Sequence, residues 1–487
     1  MAGRPSWSVR CSSLVSMEIR PVCLLLLLLL PGASAGEPTS KETPDGSQKW
    51  GYVVPRHEVN MFYWWFRSPQ RPSASASASA SGSATSKPWP TVLWLQGGPG
   101  GSGSGRGNFL EIGPLDINLK RRKFTWLRVA DLIFVDSPVD VGFSYTDNPR
   151  ALAKTDAQVA ADLFGVIKML LKELASLPNS PLYLVGESYG GKTAAMVGVL
   201  LARAIQDRTI DITLGGVGIG DGWISPGDFS SSYGPLLYSV SRLNDNAVAD
   251  VNKMGVMVNE QMAAGQFAKA QQTWTDQLDL IDSQSDGVNQ DNFLLDVGMN
   301  PVLESSLCLT GSQLMYHGSL KSNTTALVSI DIDEFMNKRI KPTLQIIPKS
   351  KVWEEATLAV YEQLKNDFMR PAIDEVDELL ARGVNVTIYQ GQLDVIVPAV
   401  GAEAWVKKLK WDGINHFLSL RRSPLHYCDT AAKYCSQQIR AYVRSHENLA
   451  FYWVLGAGHM VPVDQPYPAF RTIASITDSS GDIDDVY

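Results

Sequence analysis

Pro181-Leu182-Tyr183-Leu184-Val185-Gly186-Glu187-Ser188-Tyr189-Gly190-Gly191-Lys192 is the stretch from which the fold can be read. The apolar run Pro181 to Val185 predicts a short buried strand. Lys192 through Ala194, Met196, Leu200 and Leu201 predict a helix directly behind it. A serine between glycines at such a strand-to-helix turn has the setting of a nucleophile elbow. The turn is too tight for side chains beside the serine, which explains the flanking glycines. It would lift the Ser188 hydroxyl above the sheet, in front of the helix N-terminus.

A serine hydroxyl needs a base to take its proton, and the base needs an acid to fix its tautomer. In folds built on this turn the partners follow in the order Ser, Asp or Glu, His. The chain has six histidines, His57, His317, His416, His426, His446 and His459. His459 alone sits in a glycine-flanked turn after a strand near the C-terminus, Leu449 to Leu455 followed by Gly456-Ala457-Gly458. The strand before it, Val384 to Gln390, delivers Asp394 at its C-terminal end. The expected triad is therefore Ser188, Asp394 and His459.

An oxyanion needs two backbone donors. Tyr189 N–H follows the nucleophile. The second donor is expected from the turn after the strand Thr91 to Leu95, in Gln96-Gly97-Gly98-Pro99-Gly100-Gly101-Ser102-Gly103, with Gly98 as the candidate. Gly98, Gly100 and Gly103 also match G-x-G-x-x-G. The proline between the first two glycines and the lack of an immediate amphipathic helix argue against a dinucleotide site.

Six motifs in order, WLQGGPGG, EIGPLD, VDSPVDVGFSY, GESYGGK, GQLDVIV and GAGHMVPVDQP, run from about Trp50 to Pro466. With them the chain resembles the serine carboxypeptidase family of α/β-hydrolases, and its retinoid-inducible branch in particular. The resemblance implies peptide C-termini as substrates and an acyl-enzyme. It also implies a carboxylate-binding set at Gln96, Gly97, Glu111 and Glu187. Two acids suit that task at acidic pH, because a carboxylic acid donates a hydrogen bond only while protonated. Three positions depart from the family pattern. Gln96 stands where asparagine is common, and Gly101 stands where a cysteine usually bridges to the lid. Asp140 replaces a usual glycine, adding charge near the expected cleft or reflecting a tolerated loop change. An acyltransferase on the same scaffold, or a catalytically silent binding protein, are the alternative readings. The Glu111 and Glu187 pair argues against the first, and the complete triad against the second.

The 487 residues are 45% hydrophobic with a formal net charge of -7, enough for one large core, or for a core plus a substantial insertion. The mildly acidic balance, without a basic stripe, argues against nucleic acid as a partner. No cofactor is implied, and the histidines lack paired metal-ligand spacing. The oligomeric state is left open, homodimer included. Arg20, the apolar run Leu24 to Leu30 and Ala33-Ser34-Ala35 read as a secretory signal, residues 1–35, too short to span a bilayer. Met17 would make a more ordinary start than Met1. The expected destination is secretion or the lysosome. Cleavage would leave Cys308, Cys428 and Cys435, of which Cys428 and Cys435 could close a local disulfide. Asn323 and Asn385 begin glycan sequons, with Asn323 in the more polar stretch and Asn385 partly hidden at a strand start.

The ordered elements predict an α/β-hydrolase fold, a mostly parallel sheet with helices on both faces. Trp50 to Phe66 reads as aromatic edge strands continued by Thr91 to Leu95, with the Ser/Ala tract Ser73 to Ser86 between them as an extended, disordered hairpin loop. Asp156 to Leu177 reads as a helix capped by Thr155, with Val159, Leu163, Ile167, Leu170 and Leu174 on one face. The expected core is residues 36–224 and 348–487. Residues 225–347 form a helical lid between its halves.

Overall fold

Strands whose two faces are both covered need unbroken apolar runs, and the centre of this sheet is built from them. The computed structural model describes residues 40–72, 87–297, 307–310, 313–316, 331–429 and 434–479. The signal-like segment, the Ser/Ala tract and the Asn323 sequon lie outside the described residues. The strands begin with β1 (Ser40–Glu42), β2 (Gln48–Val53), β3 (Met61–Phe66) and β4 (Thr91–Leu95). They continue with β5 (Asp131–Val135), β6 (Leu182–Glu187) and β7 (Leu214–Gly220). A separate hairpin, β8 (Leu307–Thr310) and β9 (Gln313–Tyr316), precedes β10 (Val386–Gly391). The last three are β11 (Ser423–Asp429), β12 (Tyr434–His446) and β13 (Leu449–Val454).

Eleven of these form one sheet in the order β1-β2-β3-β5-β4-β6-β7-β10-β13-β12-β11. It is parallel from β5 to β13 and antiparallel on both flanks. Side-chain alternation feeds two cores. In β4, Val92 and Trp94 enter one, while Leu93 and Leu95 enter the other.

Helix α1 (Asp156–Glu173) starts at Thr155, whose side chain accepts from Gln158 N–H, as its sequence suggests. Its stripe of Val159, Leu163, Val166, Ile167 and Leu170 is fully buried on the sheet. Truncating one such residue, Leu163→Ala for example, typically costs about 2–5 kcal/mol. Helix α2 (Tyr189–Gln206) packs on the same face, and the C-terminal helix Pro466–Ile476 packs on the other through Phe470 and Ile473.

Two expectations change. β4 does not continue the β2–β3 pair: β3 lies against β5, and β4 sits between β5 and β6. The strands flanking the Ser/Ala tract are therefore not hydrogen-bonded neighbours, so their connection is a crossover and not a hairpin. The reason is polarity of the chain, since β4 must run parallel to β5 and β6 to join the buried centre. The region after β7 is also not wholly helical. It holds α3 (Pro226–Ser239), α4 (Asp245–Ala263) and α5 (Phe267–Gln284), and then the β8–β9 hairpin. The chain between α4 and α5 is broken at Gly265, which turns with φ 70°. Beyond it, α6 (Leu358–Phe368) and α7 (Ile373–Ala381) flank Pro371, with Gly383 ending the second at φ 75°.

Candidate active site

In an open parallel sheet, ligands meet the C-terminal ends of strands where chain direction reverses across the sheet. That reversal falls between β4, whose successor β5 lies to one side, and β6 on the other. Gln96 and Gly97 leave β4 there, and Ser188 leaves β6. Ser188 takes φ 58° and ψ -126°, a strained turn for a residue with a side chain. The glycines around it have steric reasons. A Cβ at Gly186 would stand 2.2 Å from Gly190 O, one at Gly190 2.0 Å from Leu95 O, and one at Gly97 2.6 Å from Ser188 Cβ.

His459 and Asp394 come from loops after β13 and β10. The turn carrying His459 is tied down by Gly458 N–H to Asp464 Oδ2 (2.7 Å) and His459 N–H to Asp291 O (2.8 Å). His459 Nδ1 lies 2.7 Å from Asp394 Oδ2, and Val397 N–H donates to Asp394 Oδ1 at 3.0 Å. Ser188 and His459 line one cleft with Gln96, Gly97, Gly98 and Glu187. Burial lowers the His459 pKa below its ordinary value, which keeps the imidazole free to accept a proton. A larger cavity, about 680 Å³, is lined by Lys49, Arg67, Arg71, Trp89 and Glu173, among others. Among the described residues its lining holds no histidine.

Tyr189 commits its side chain elsewhere. The hydroxyl bonds to Asp156, and the ring stacks on Phe368 at 5.8 Å. What remains for the cleft is its backbone N–H, in the first turn of α2 where helical N–H groups lack intrahelical acceptors. Gly98 lies in the cleft wall with φ 120°.

The carboxylate-binding candidates form one buried network. Trp94 Nε1 donates to Gln96 Oε1 at 2.8 Å, and Gln96 Nε2 donates to Glu111 Oε1 at 3.0 Å and Glu187 Oε1 at 3.5 Å. The longer arm of Gln96 thus reaches both acids while its own oxygen is held. Glu111 and Glu187 are buried, and neither Oε2 receives a hydrogen bond from a protein donor. Burial first, then the Glu111 charge, pushes the Glu187 pKa well above its ordinary value. Burial raises Glu111 too, opposed by Arg106 and the Gln96 amide. The pair therefore keeps a proton between its two carboxyls.

Sequence reading missed Arg106. It is 9% exposed, with Nη1 3.1 Å from Glu355 Oε1, Nη2 2.7 Å from Met460 Sδ and Nε 3.6 Å from Glu111 Oε1. Burial alone would lower its pKa, but Glu355, Glu111, Asp291 and Glu187 push it above the ordinary value, so it stays charged. Nothing but an arginine inside a glycine-rich loop could have flagged it. Asp221 was missed as well, although a charged residue between Gly220 and Gly222 at a strand end is a readable signal. One atom from each of Asp221, Asp394 and His459 lies within 4.8 Å of the others. The 2.7 Å Asp394–His459 contact is a hydrogen bond and leaves no room for an ion between them, since ligands of a tetrahedral zinc sit about 3.4 Å apart. Trp223, Trp274, Phe368 and Ile396 form the apolar wall, drawn from four separate segments.

The departures at Gly101 and Asp140 have local explanations. A Cβ at Gly101 would lie 2.9 Å from Gly97 O, so this loop is packed around a glycine. Asp140 keeps a glycine-like φ of 79°, and its carboxylate pairs with Lys351 Nζ at 3.1 Å outside the cleft wall. The remaining candidates lie elsewhere. Asn385 is exposed and not partly hidden, because it precedes β10 at the opposite end of that strand from Asp394, and its Nδ2 is 3.4 Å from Gly215 O. The β11–β12 register sets Cys428 opposite Cys435 along the backbone.

Comparison with known proteins identifies the family. The family model described as serine carboxypeptidase matches residues 38–479. Serine carboxypeptidase-like 51 of Arabidopsis thaliana is 44% identical over 95% of this chain and 99% of its own length. The retinoid-inducible serine carboxypeptidase of Homo sapiens is 41% identical over 94% of this chain and 97% of its own. Among solved structures, a prohormone-processing carboxypeptidase of Saccharomyces cerevisiae superposes with a TM-score of 0.71 at 20% identity, covering 89% of this chain and 93% of that one. That likeness speaks to the fold.

Proposed function

The chain belongs to the serine carboxypeptidase family, and on that premise we propose how its own residues carry the reaction. His459 takes the Ser188 proton as the hydroxyl attacks the last peptide carbonyl, and Asp394 holds the imidazole in the required tautomer. The N–H groups of Gly98 and Tyr189 receive the oxyanion. The amine leaves with the proton from His459, and water then hydrolyses the acyl-enzyme by the same base.

The observation that carries the reading is the buried Glu111–Glu187 pair beside the elbow, with both Oε2 atoms lacking protein donors. A terminal carboxylate would accept from protonated Glu187, Gln96 Nε2 and Gly97 N–H, with the Arg106 charge nearby. Such capture is favoured at acidic pH and weakens as Glu187 ionises. An acyl transfer to an alcohol needs no such pair. Residues 225–347 act as a cap over the cleft, a role supported by Trp274 of α5 in the cleft wall. Entry to the secretory pathway, delivery to the lysosome or outside the cell, glycosylation at Asn323 and Asn385, and a Cys428–Cys435 disulfide complete the proposal. Intact-mass and N-terminal analysis of secreted protein tests them.

The deciding experiment compares peptides with free and amidated C-termini, at about pH 5 and pH 7, with wild type and Ser188→Ala. We expect the free terminus to be preferred by about ten- to hundredfold at acidic pH. Equal turnover of both peptides would refute carboxylate capture, and activity surviving in Ser188→Ala would refute the nucleophile.

A further inference from the structure

Asp221 is fully buried and is the first residue past β7. Its φ of 41° is a conformation that glycine takes readily and aspartate takes less often, at some cost in strain. Asp221 Oδ1 accepts from Gln390 Nε2 at 2.7 Å and from Gly391 N–H at 2.7 Å. Oδ2 has no hydrogen-bond partner among protein donors. Across from it, Asp394 uses Oδ1 for Val397 N–H and Oδ2 for His459. Two sealed carboxyls this close cannot both be ionised. Asp394 is occupied as an acceptor on both oxygens, whereas Asp221 has one oxygen without a donor.

We propose that Asp221 carries a proton on Oδ2 and donates it to Asp394, as a positioning residue that keeps the triad carboxylate ionised and aimed at His459. The inference rests on the triad assigned above and extends it by one member. Burial, then the Asp394 charge, holds the Asp221 proton well above the usual carboxylate range. Asp464 faces it as well, and a charge on Asp221 would in turn press on Glu187 and Tyr389 of the neighbouring strands, raising the pKa of each. The acids among them add to the cost of ionising it. His459 completes the set within 4.8 Å. Loss of the proton at alkaline pH would place a second anion behind Asp394 and remove its donor.

The test follows labelling of Ser188 by a fluorophosphonate probe, which reacts at the hydroxyl without a terminal carboxylate and so bypasses Glu187. Asp221→Asn keeps the Oδ1 acceptor and supplies an N–H that cannot ionise. It should label like wild type at acidic pH and hold its rate at least about one pH unit further into the alkaline range. Asp221→Ala should label about ten- to hundredfold more slowly. An Asp221→Asn profile that falls with wild type would overturn the proposal, as would wild-type labelling by a folded Asp221→Ala. Should Asp221→Ala not fold, the Asp221→Asn profile decides. Labelling that persists in Ser188→Ala would instead overturn the triad itself.

Discussion

Two pairs of carboxyls stand at the C-terminal edge of this sheet, and each is spanned by a glutamine amide. Gln390 Nε2 reaches Asp221 Oδ1 at 2.7 Å and Asp394 Oδ2 at 3.5 Å. Gln96 Nε2 reaches Glu111 Oε1 at 3.0 Å and Glu187 Oε1 at 3.5 Å. Both pairs are buried, and both hold a proton for the same reason, that two anions cannot share a small volume of low dielectric. They differ in what completes them. The aspartate pair is closed by backbone N–H groups of Gly391 and Val397 and by His459. The glutamate pair is flanked by the Arg106 charge and leaves two oxygens without protein donors beside the cleft. The aspartate pair faces the histidine of the proposed triad, whereas Glu187 of the other pair lines the cleft.

The sharpest attack on that distinction is Asp394→Asn. An amide cannot hold the required His459 tautomer, so kcat should fall by about 10⁴ with folding retained. Steady-state hydrolysis beside a melting curve checks it, and near-wild-type turnover would end the division of labour. Next is Gly97→Ala, whose Cβ would press on Ser188 Cβ at 2.6 Å and Glu187 O at 2.7 Å, disturbing both regions together. A shift of the nucleophile of this kind costs about a hundredfold in kcat/KM. Selective loss on free-terminus peptides alone would show that only the glutamate side had moved.

Glu187→Gln separates the pairs by pH. The wild-type acid donates until it ionises, while an amide donates at every pH, so the kcat/KM profile for free-terminus peptides should extend to higher pH by up to about tenfold in rate. Amidated peptides should show no such change, and an unaltered profile would remove the acid pair from substrate binding.

Stability gives a smaller signal of defined sign. Glu187 and Asp221 have folded-state pKa values raised well above their ordinary values, so the folded chain keeps protons that the unfolded chain has lost above about pH 4. Stability from these groups is present below that pH and is lost as pH rises towards their folded pKa values. His459, lowered by burial, pulls the other way near neutral pH but is a single group. The Tm should therefore drop between pH 5 and pH 8. Glu187→Gln should flatten that drop by roughly 2–4 °C, and scanning calorimetry reads the slope. The smallest effect is expected at Asp140→Gly. The position already has φ 79°, and the Lys351 pair is partly exposed, so stability should change by less than about 1 kcal/mol and kcat/KM should stay level.

Much of the candidate site could be proposed from the sequence because its residues sit at strand ends marked by glycine. Ser188, Asp394 and His459 could be placed by order and turn chemistry, and the carboxylate set followed from motif resemblance. Strand pairing was less legible. β4 reads like its aromatic neighbours β2 and β3, yet its partners are β5 and β6, because pairing is set by hydrogen bonds across the sheet and leaves no local trace. Arg106 and Asp221 escaped for a related reason. A charge in a glycine-rich loop looks solvated until the surrounding chain closes over it.

The chain's own order of residues settles which turns are tight, which runs are buried on two faces, and where an acid, a base and a hydroxyl stand along a parallel sheet. Local conformation and apolar periodicity act over a few residues, so these can be read from the string. Which acid keeps a proton is another matter. It depends on burial and on charges brought together from β4, β6, β7, β10 and β13, and only the assembled fold decides it.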